Sequence, residues 1–175
     1  NYAPNDQGIR WFINEVWPIV KARRTGATLA VVGADPERSL QALCARDSSI
    51  ELTGRVPDVR PWLWESAVAI APLHVARGLQ NKTLEATAWG LPIVITSAVA
   101  AGLSSGLEPA FTVADAAPQF ARAVVELLEL PPATRRARAG AADLSALRWS
   151  NTLQRLETLF RDAMSSTATK SNSRL

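Results

Sequence analysis

The 175-residue chain contains one cysteine, one histidine, one methionine and one tyrosine. Cys44 on its own excludes an internal disulfide. His74 has no second histidine and only one thiol to join it, and the carboxylates lack the spacing of a calcium loop, so no metal centre is expected. Apolar runs are short as well. None approaches the ~20 residues that span a bilayer, and no signal-peptide pattern opens the chain. Strong charge of either sign is also missing, the formal net charge being +3. The basic clusters at 21–24 and 135–138 are separated and locally polar, which suits solvated helix ends rather than a nucleic-acid-binding stripe. No nucleic-acid partner is expected.

What is present is an ordinary globular composition, 47% hydrophobic and 20% charged, in a length suited to one well-buried domain. Ile9, Phe12, Ile13, Val16 and Val20 recur at helical spacing and predict an amphipathic helix from about Asp6 to Arg23, capped by Asn5 or Asp6, with Pro18 as a candidate kink. Strands follow near 28–32, 50–53, 68–72 and 93–96, separated by helices near 36–46, 59–66 and 81–89, and a short strand is expected at 110–113. This alternation implies a Rossmann-like parallel sheet with helices on both faces. From Ala116 the pattern turns helical, over 118–130, 133–144 and 150–164, as a carboxyl-terminal trailer; the polar tail 165–175 reads as disordered. Cys44 shares helical spacing with Leu40 and Leu43 and reads as a buried structural thiol. Trp11, Trp17, Trp62, Trp64 and Trp149 lie within or beside amphipathic helices and are assigned to core packing, which leaves Trp89 as the tryptophan to inspect near a site.

The richest stretch runs from Arg77 to Pro92. Gly78 lets the loop after an apolar strand bring backbone amides close to a ligand. Asn81 opens a short helix and Lys82 falls in its first turn, where unpaired N–H groups and the positive end of the helix dipole favour an anion. Glu85, three residues on, projects from the same helix face, its Cβ roughly 5 to 6 Å from that of Lys82. A phosphate at Lys82 and a sugar diol at Glu85 form a sensible pair, since a carboxylate accepts hydrogen bonds from two adjacent hydroxyls. A lone Glu85 would read as a surface glutamate; its coincidence with Gly78, Lys82, Gly90 and Pro92 in order argues otherwise. In doubly wound sheets ligands lie beyond the carboxyl ends of the strands, so the loops after Val32, Thr53, Leu73 and Thr96 are expected to form one rim. That rim carries Gly33, then Gly54, Arg55 and Val56 to flank a base, and His74. A lone loop histidine is more often a hydrogen-bonded structural residue than a catalyst, so His74 is given at most a phosphate or sugar contact.

Taken together, Leu29 to Gly33, Ile50 to Val56, Asp58 to Leu63, Gly78 to Pro92 and Trp149 with the helix after it resemble, in order and spacing, the donor-binding half of GT-B glycosyltransferases of the large retaining family 4. The resemblance spans nearly the whole chain. It implies that Glu85 matches the second of the family's two spaced glutamates, the one that binds ribose hydroxyls, and that Lys82 meets the diphosphate. The first glutamate should stand eight residues earlier, where this chain has Arg77, and Asn5 and Gly8 replace an expected basic phosphate clamp. Arg10, Arg77 and Lys82 are then the candidates to neutralise the diphosphate, with Gly78, Leu79 and Asn81 beside it.

The implied function is sugar transfer, of the retaining hexosyltransferase type, from a UDP- or GDP-linked sugar to a saccharide or lipid-linked acceptor in bacterial polysaccharide or glycolipid assembly. Domain 1–164 would bind the nucleotide sugar. An amino-terminal acceptor domain would lie outside this chain, leaving the fragment inactive alone. No cofactor beyond the donor is implied. The expected location is cytoplasmic, with peripheral contact to the anionic inner face of a membrane. A sugar-nucleotide epimerase half and a noncatalytic nucleotide-binding module are the alternatives.

Overall fold

A computed structural model describes residues 3–148, 150–151, 153 and 156–161. The chain divides into two compact units, Asn1–Ala142 and Asp143–Leu175.

In the first unit the opening periodicity produces α1 (Ala3–Trp11), which runs through a π turn (Phe12–Val16) into α2 (Trp17–Arg23). Pro18 has no N–H, and its ring crowds the carbonyl four residues back. The wider turn, in which the Trp17 amide donates to the Phe12 carbonyl, absorbs that mismatch without ending the helix. β1 (Leu29–Val32) and β2 (Ile50–Gly54) pair in parallel, Leu29 opposite Ile50, with α3 (Arg38–Cys44) as the crossover. α4 (Arg60–Glu65) leads to β3 (Ala69–Ala71), which pairs in parallel with β4 (Ile93–Ile95), itself parallel to β5 (Phe111–Val113). α5 (Asn81–Ala88) crosses from β3 to β4 and the single-turn α6 (Ser97–Ala100) follows β4. α7 (Ala117–Glu129) and α8 (Pro132–Gly140) close the unit. The expected elements therefore occur in the expected order, most trimmed at their ends, while α6 was not foreseen.

The anticipated sheet is present in two parts, of orders β1-β2 and β3-β4-β5. β4, flanked on both sides, is buried along its length, as an inner parallel strand must be. β1 and β3 each have one neighbour and are only partly buried.

The core joins Phe12, Val16 and Val20 to Leu29, Ile50, Val94 and the inner face of α7. Phe120, fully buried, packs edge-on against Trp11 at 5.6 Å and Phe12 at 5.8 Å between ring centroids. Cys44 is buried as expected, and desolvation pushes its thiol pKa up. The tryptophan assignment needs two corrections: Trp62 is only half-buried and outside the core, and Trp64 is 58% exposed. α4 is six residues long with none of them buried, so its outer ring faces solvent and meets Trp89 edge-on at 6.3 Å, with the Arg136 guanidinium 4.8 Å over its face.

In the second unit a short turn, Ser145–Leu147, is held by the Asp143 carboxylate, which accepts from the Ser145 amide at 2.8 Å. Residues 156–161 are helical, with Leu156, Leu159 and Phe160 exposed. Trp149 and 162–175, and with them the reading of the tail, lie outside the described residues.

Candidate functional site

The carboxyl end of β3 opens into the loop 72–80, and the first turn of α5 follows it. Gly78 takes φ +63°, a left-handed conformation that a side chain would strain. Gln80, extended, is the residue before α5; its carbonyl accepts from both the amide and the hydroxyl of Thr83, and no side chain caps the helix. The amides of Asn81 and Lys82 are thus left without intrahelical partners, pointing outward from the positive end of an eight-residue helix.

Lys82 Nζ donates to Asn5 Oδ1 at 2.6 Å, which ties α5 to the start of α1 across the end of the sheet. The residue as a whole is exposed, because the cavity it borders is open. Protein packed around the ammonium nevertheless desolvates it in part and lowers its pKa from the ordinary lysine value. An incoming phosphate would relieve that penalty. Glu85 and Arg77 are exposed; their side chains make no hydrogen bond or ion pair with another described residue. Leu79 and Asn81 are exposed too. This group of six, from Arg77 to Glu85, stands together on one loop and one helix face.

The other predicted loops gather differently. Gly33 and Asp35 follow β1, and Asp35 takes φ +52°. Its carboxylate pairs with Arg55 at 3.2 Å, on the loop after β2, both side chains well exposed. Gly54, at φ +67°, turns that loop, and Val56 is half-buried behind it. After β3 and β4, the Thr96 hydroxyl donates to the Leu73 carbonyl, while the Asp115 carboxylate accepts from the Ser97 hydroxyl and from its amide at 2.9 Å. Those Ser97 bonds hold the Asp115 pKa down, with a smaller contribution from the His74 charge. His74 itself lies edge-on to Trp11 at 4.6 Å. The four loops form two bonded pairs, on either side of an open cavity of about 1320 Å³. Of the predicted residues, Gly33 and Lys82 line it, alongside Asn5 and Asp6.

Arg10 is not available as a phosphate clamp. Its guanidinium is held by Asp6 at 2.5 Å and donates to Ser39 at 2.7 Å, and the bond to Asp6 raises its pKa. Trp89, at the far end of α5, sits with Trp64 near the start of β3, away from Lys82. Two residues had no local signature. Asn5 acts through a partner 77 positions away. Gly102 packs against the loop 72–80 so closely that a Cβ there would lie 2.4 Å from the Gly78 carbonyl oxygen.

The sequence profile described as glycosyl transferases group 1 matches residues 1–130. Among solved structures, the chain is similar to WaaG, a glycosyltransferase involved in lipopolysaccharide biosynthesis, at 21% identity and a TM-score of 0.64. That likeness covers 84% of this chain and 41% of that one, so the chain spans about two fifths of its length. At such identity it carries the fold, that of one half of a GT-B glycosyltransferase. No curated protein sequence matches.

Proposed function

The chain belongs to the group 1 glycosyltransferases, and from that premise we propose that its first unit binds the nucleotide-diphosphate-sugar donor of a retaining enzyme. The acceptor, a saccharide or a lipid-linked saccharide, would be held by a second domain, at the cytoplasmic side of a membrane. The observation that supports this best is the uncapped start of α5 with Lys82 in its first turn, beside an exposed Glu85 that has no partner among the described residues.

The chemistry follows from charge. As the bond from sugar to phosphate breaks, negative charge grows on the leaving diphosphate. Lys82, the α5 amides and Arg77 stabilise that charge more in the transition state than in the ground state, which is what lowers a barrier. Glu85 holds the ribose diol, and the loop Gly54 to Val56 flanks the base. Gly33 and His74 complete the rim, with Leu79 and Asn81 against the phosphates. Arg77 replaces a carboxylate of the resembling family, so the sugar end of this site is cationic.

A thermal-shift series of the 175-residue chain with UDP, GDP, ADP and their sugar conjugates tests the reading, because a ligand that binds only the folded state raises its stability. A diphosphate-selective rise, abolished in Glu85→Ala, is the expected result. A folded chain that responds to none of them, with or without Glu85, counts against a donor site here.

A further inference from the structure

We propose that the corner between α4, the end of α5 and the first turn of α8 is a saccharide subsite, separate from the donor site, that holds one pyranose ring of a glycan chain. The choice of occupant rests on membership of the group 1 glycosyltransferases and not on where the donor binds.

The corner is built on two aromatic rings. Trp64 and Trp89 are 58% and 39% exposed and stand nearly perpendicular to each other, their centroids 6.3 Å apart. Exposed apolar side chains scattered singly need no explanation, whereas adjoining indoles from separate elements make a continuous patch of the kind that marks a binding surface. That exposure is what remains with Arg136 already seated over the Trp64 ring, so open ring surface is left for a ligand.

Polar groups around the rings decide what the patch can hold. Two of the α8 arginines are engaged by the fold: Arg135 donates to the Leu128 and Leu130 carbonyls, and Arg138 to the Pro109 and Phe111 carbonyls and the Thr112 hydroxyl. Arg136 makes no hydrogen bond or ion pair with a described residue, and neither do the Glu65 carboxylate or the two indole N–H groups. One group that only accepts and three that only donate thus stand beside open ring surface. A pyranose matches that set. Its C–H face packs on an indole, and its hydroxyls, each both donor and acceptor, serve carboxylate and guanidinium together. An anionic lipid surface matches it less well, because Glu65 would be pressed against like charge.

Size narrows the occupant further. The hollow walled by Trp64, Glu65, Trp89 and Arg136 has a volume of about 170 Å³, room for about six waters at ~30 Å³ each. That suits one sugar ring and falls below the ~300 Å³ at which pockets for larger ligands begin. A nucleotide sugar does not fit, so the hollow is no second donor site. It lies at the opposite end of α5 from Lys82, and a grip there raises the effective concentration of a glycan at the enzyme.

Nuclear magnetic resonance of the tryptophan indole N–H groups in the 175-residue chain tests this. The probes are hexaoses of glucose, mannose, galactose and N-acetylglucosamine, with phosphatidylglycerol vesicles for comparison. A one-ring subsite binds weakly, with Kd about 1 mM, so each titration runs to roughly tenfold above that. The Trp64 and Trp89 resonances should shift saturably with at least one hexaose while that of Trp17, in the core, stays in place. Trp64→Ala and Arg136→Gln should each weaken the binding about tenfold, and Glu85→Ala, which disables the donor site, should leave it intact. No shift of either indole with any hexaose overturns the proposal, as does binding that survives both substitutions. A response to the vesicles and to none of the sugars overturns it too, by making the corner a membrane contact.

Discussion

Lys82 concentrates the electrostatics of the site in one residue: a partly desolvated ammonium, aimed by Asn5, beside two amides that the helix leaves free. Removing a donor aimed at developing charge typically costs about 10²- to 10³-fold in kcat. Lys82→Ala, assayed in the complete enzyme, should therefore lower kcat by roughly that factor while KM for the donor changes much less. A raised KM with kcat unchanged would demote Lys82 to a contact made equally in the ground state. The position of this residue was legible in sequence, because a lysine at a helix start after a glycine loop is a local pattern. Its orientation was not, since Asn5 reaches it across 77 positions. Arg10 failed for the same reason. Nothing near it in sequence announces that Ser39 will claim its guanidinium, although Asp6, one helical turn away, was a warning.

At the scale of elements, two glycines set how closely the backbone layers approach. Gly8 brings α1 against the exit of β3, where a Cβ would lie 2.4 Å from the Pro72 carbonyl oxygen, and Gly102 does the same for the Gly78 loop. In both cases the obstacle is backbone rather than a movable side-chain tip. Gly8→Ala should cost about 1 to 3 kcal/mol of stability, the usual range for overpacking, measured by urea unfolding. A shift in midpoint below a tenth of that cost would show that α1 can back away freely. Strand and helix order was readable because alternating apolar runs and breakers are local properties. Element ends were less so: α4 reads as amphipathic from Trp62, Leu63 and Trp64, yet only tertiary packing decides that the outer ring of Trp64 stays in solvent.

For the molecule as a whole, one acid-sensitive carboxylate lies at a tie between layers. Asp47 accepts hydrogen bonds from Ser49 and from Lys21 of α2, and these hold its pKa far below the usual carboxylate value. A carboxylate lowered on folding stabilises the fold above its unfolded pKa of ~3.9, and that contribution disappears as pH falls towards the folded value. Wild type should thus exceed Asp47→Asn in urea midpoint at pH 6, with the gap narrowing steadily as pH falls below about 4. A gap that is constant with pH would assign the difference to lost hydrogen-bond geometry instead of charge. The fold class was legible from the alternation of elements. The division of the sheet into two parts was not, because a sequence pattern states which strands exist and not which of them pair.

α5 is a rigid rod about 12 Å long with the ammonium of Lys82 near one end and the indole of Trp89 just past the other. Trp89 touches Trp64 through an exposed edge-to-face contact capped by Arg136. Any rocking of the rod that draws its first turn onto a phosphate must open or close that ring contact at the opposite end. If phosphate binding rocks α5, the fluorescence of this tryptophan pair would register occupancy at a distance, without a label on the site itself.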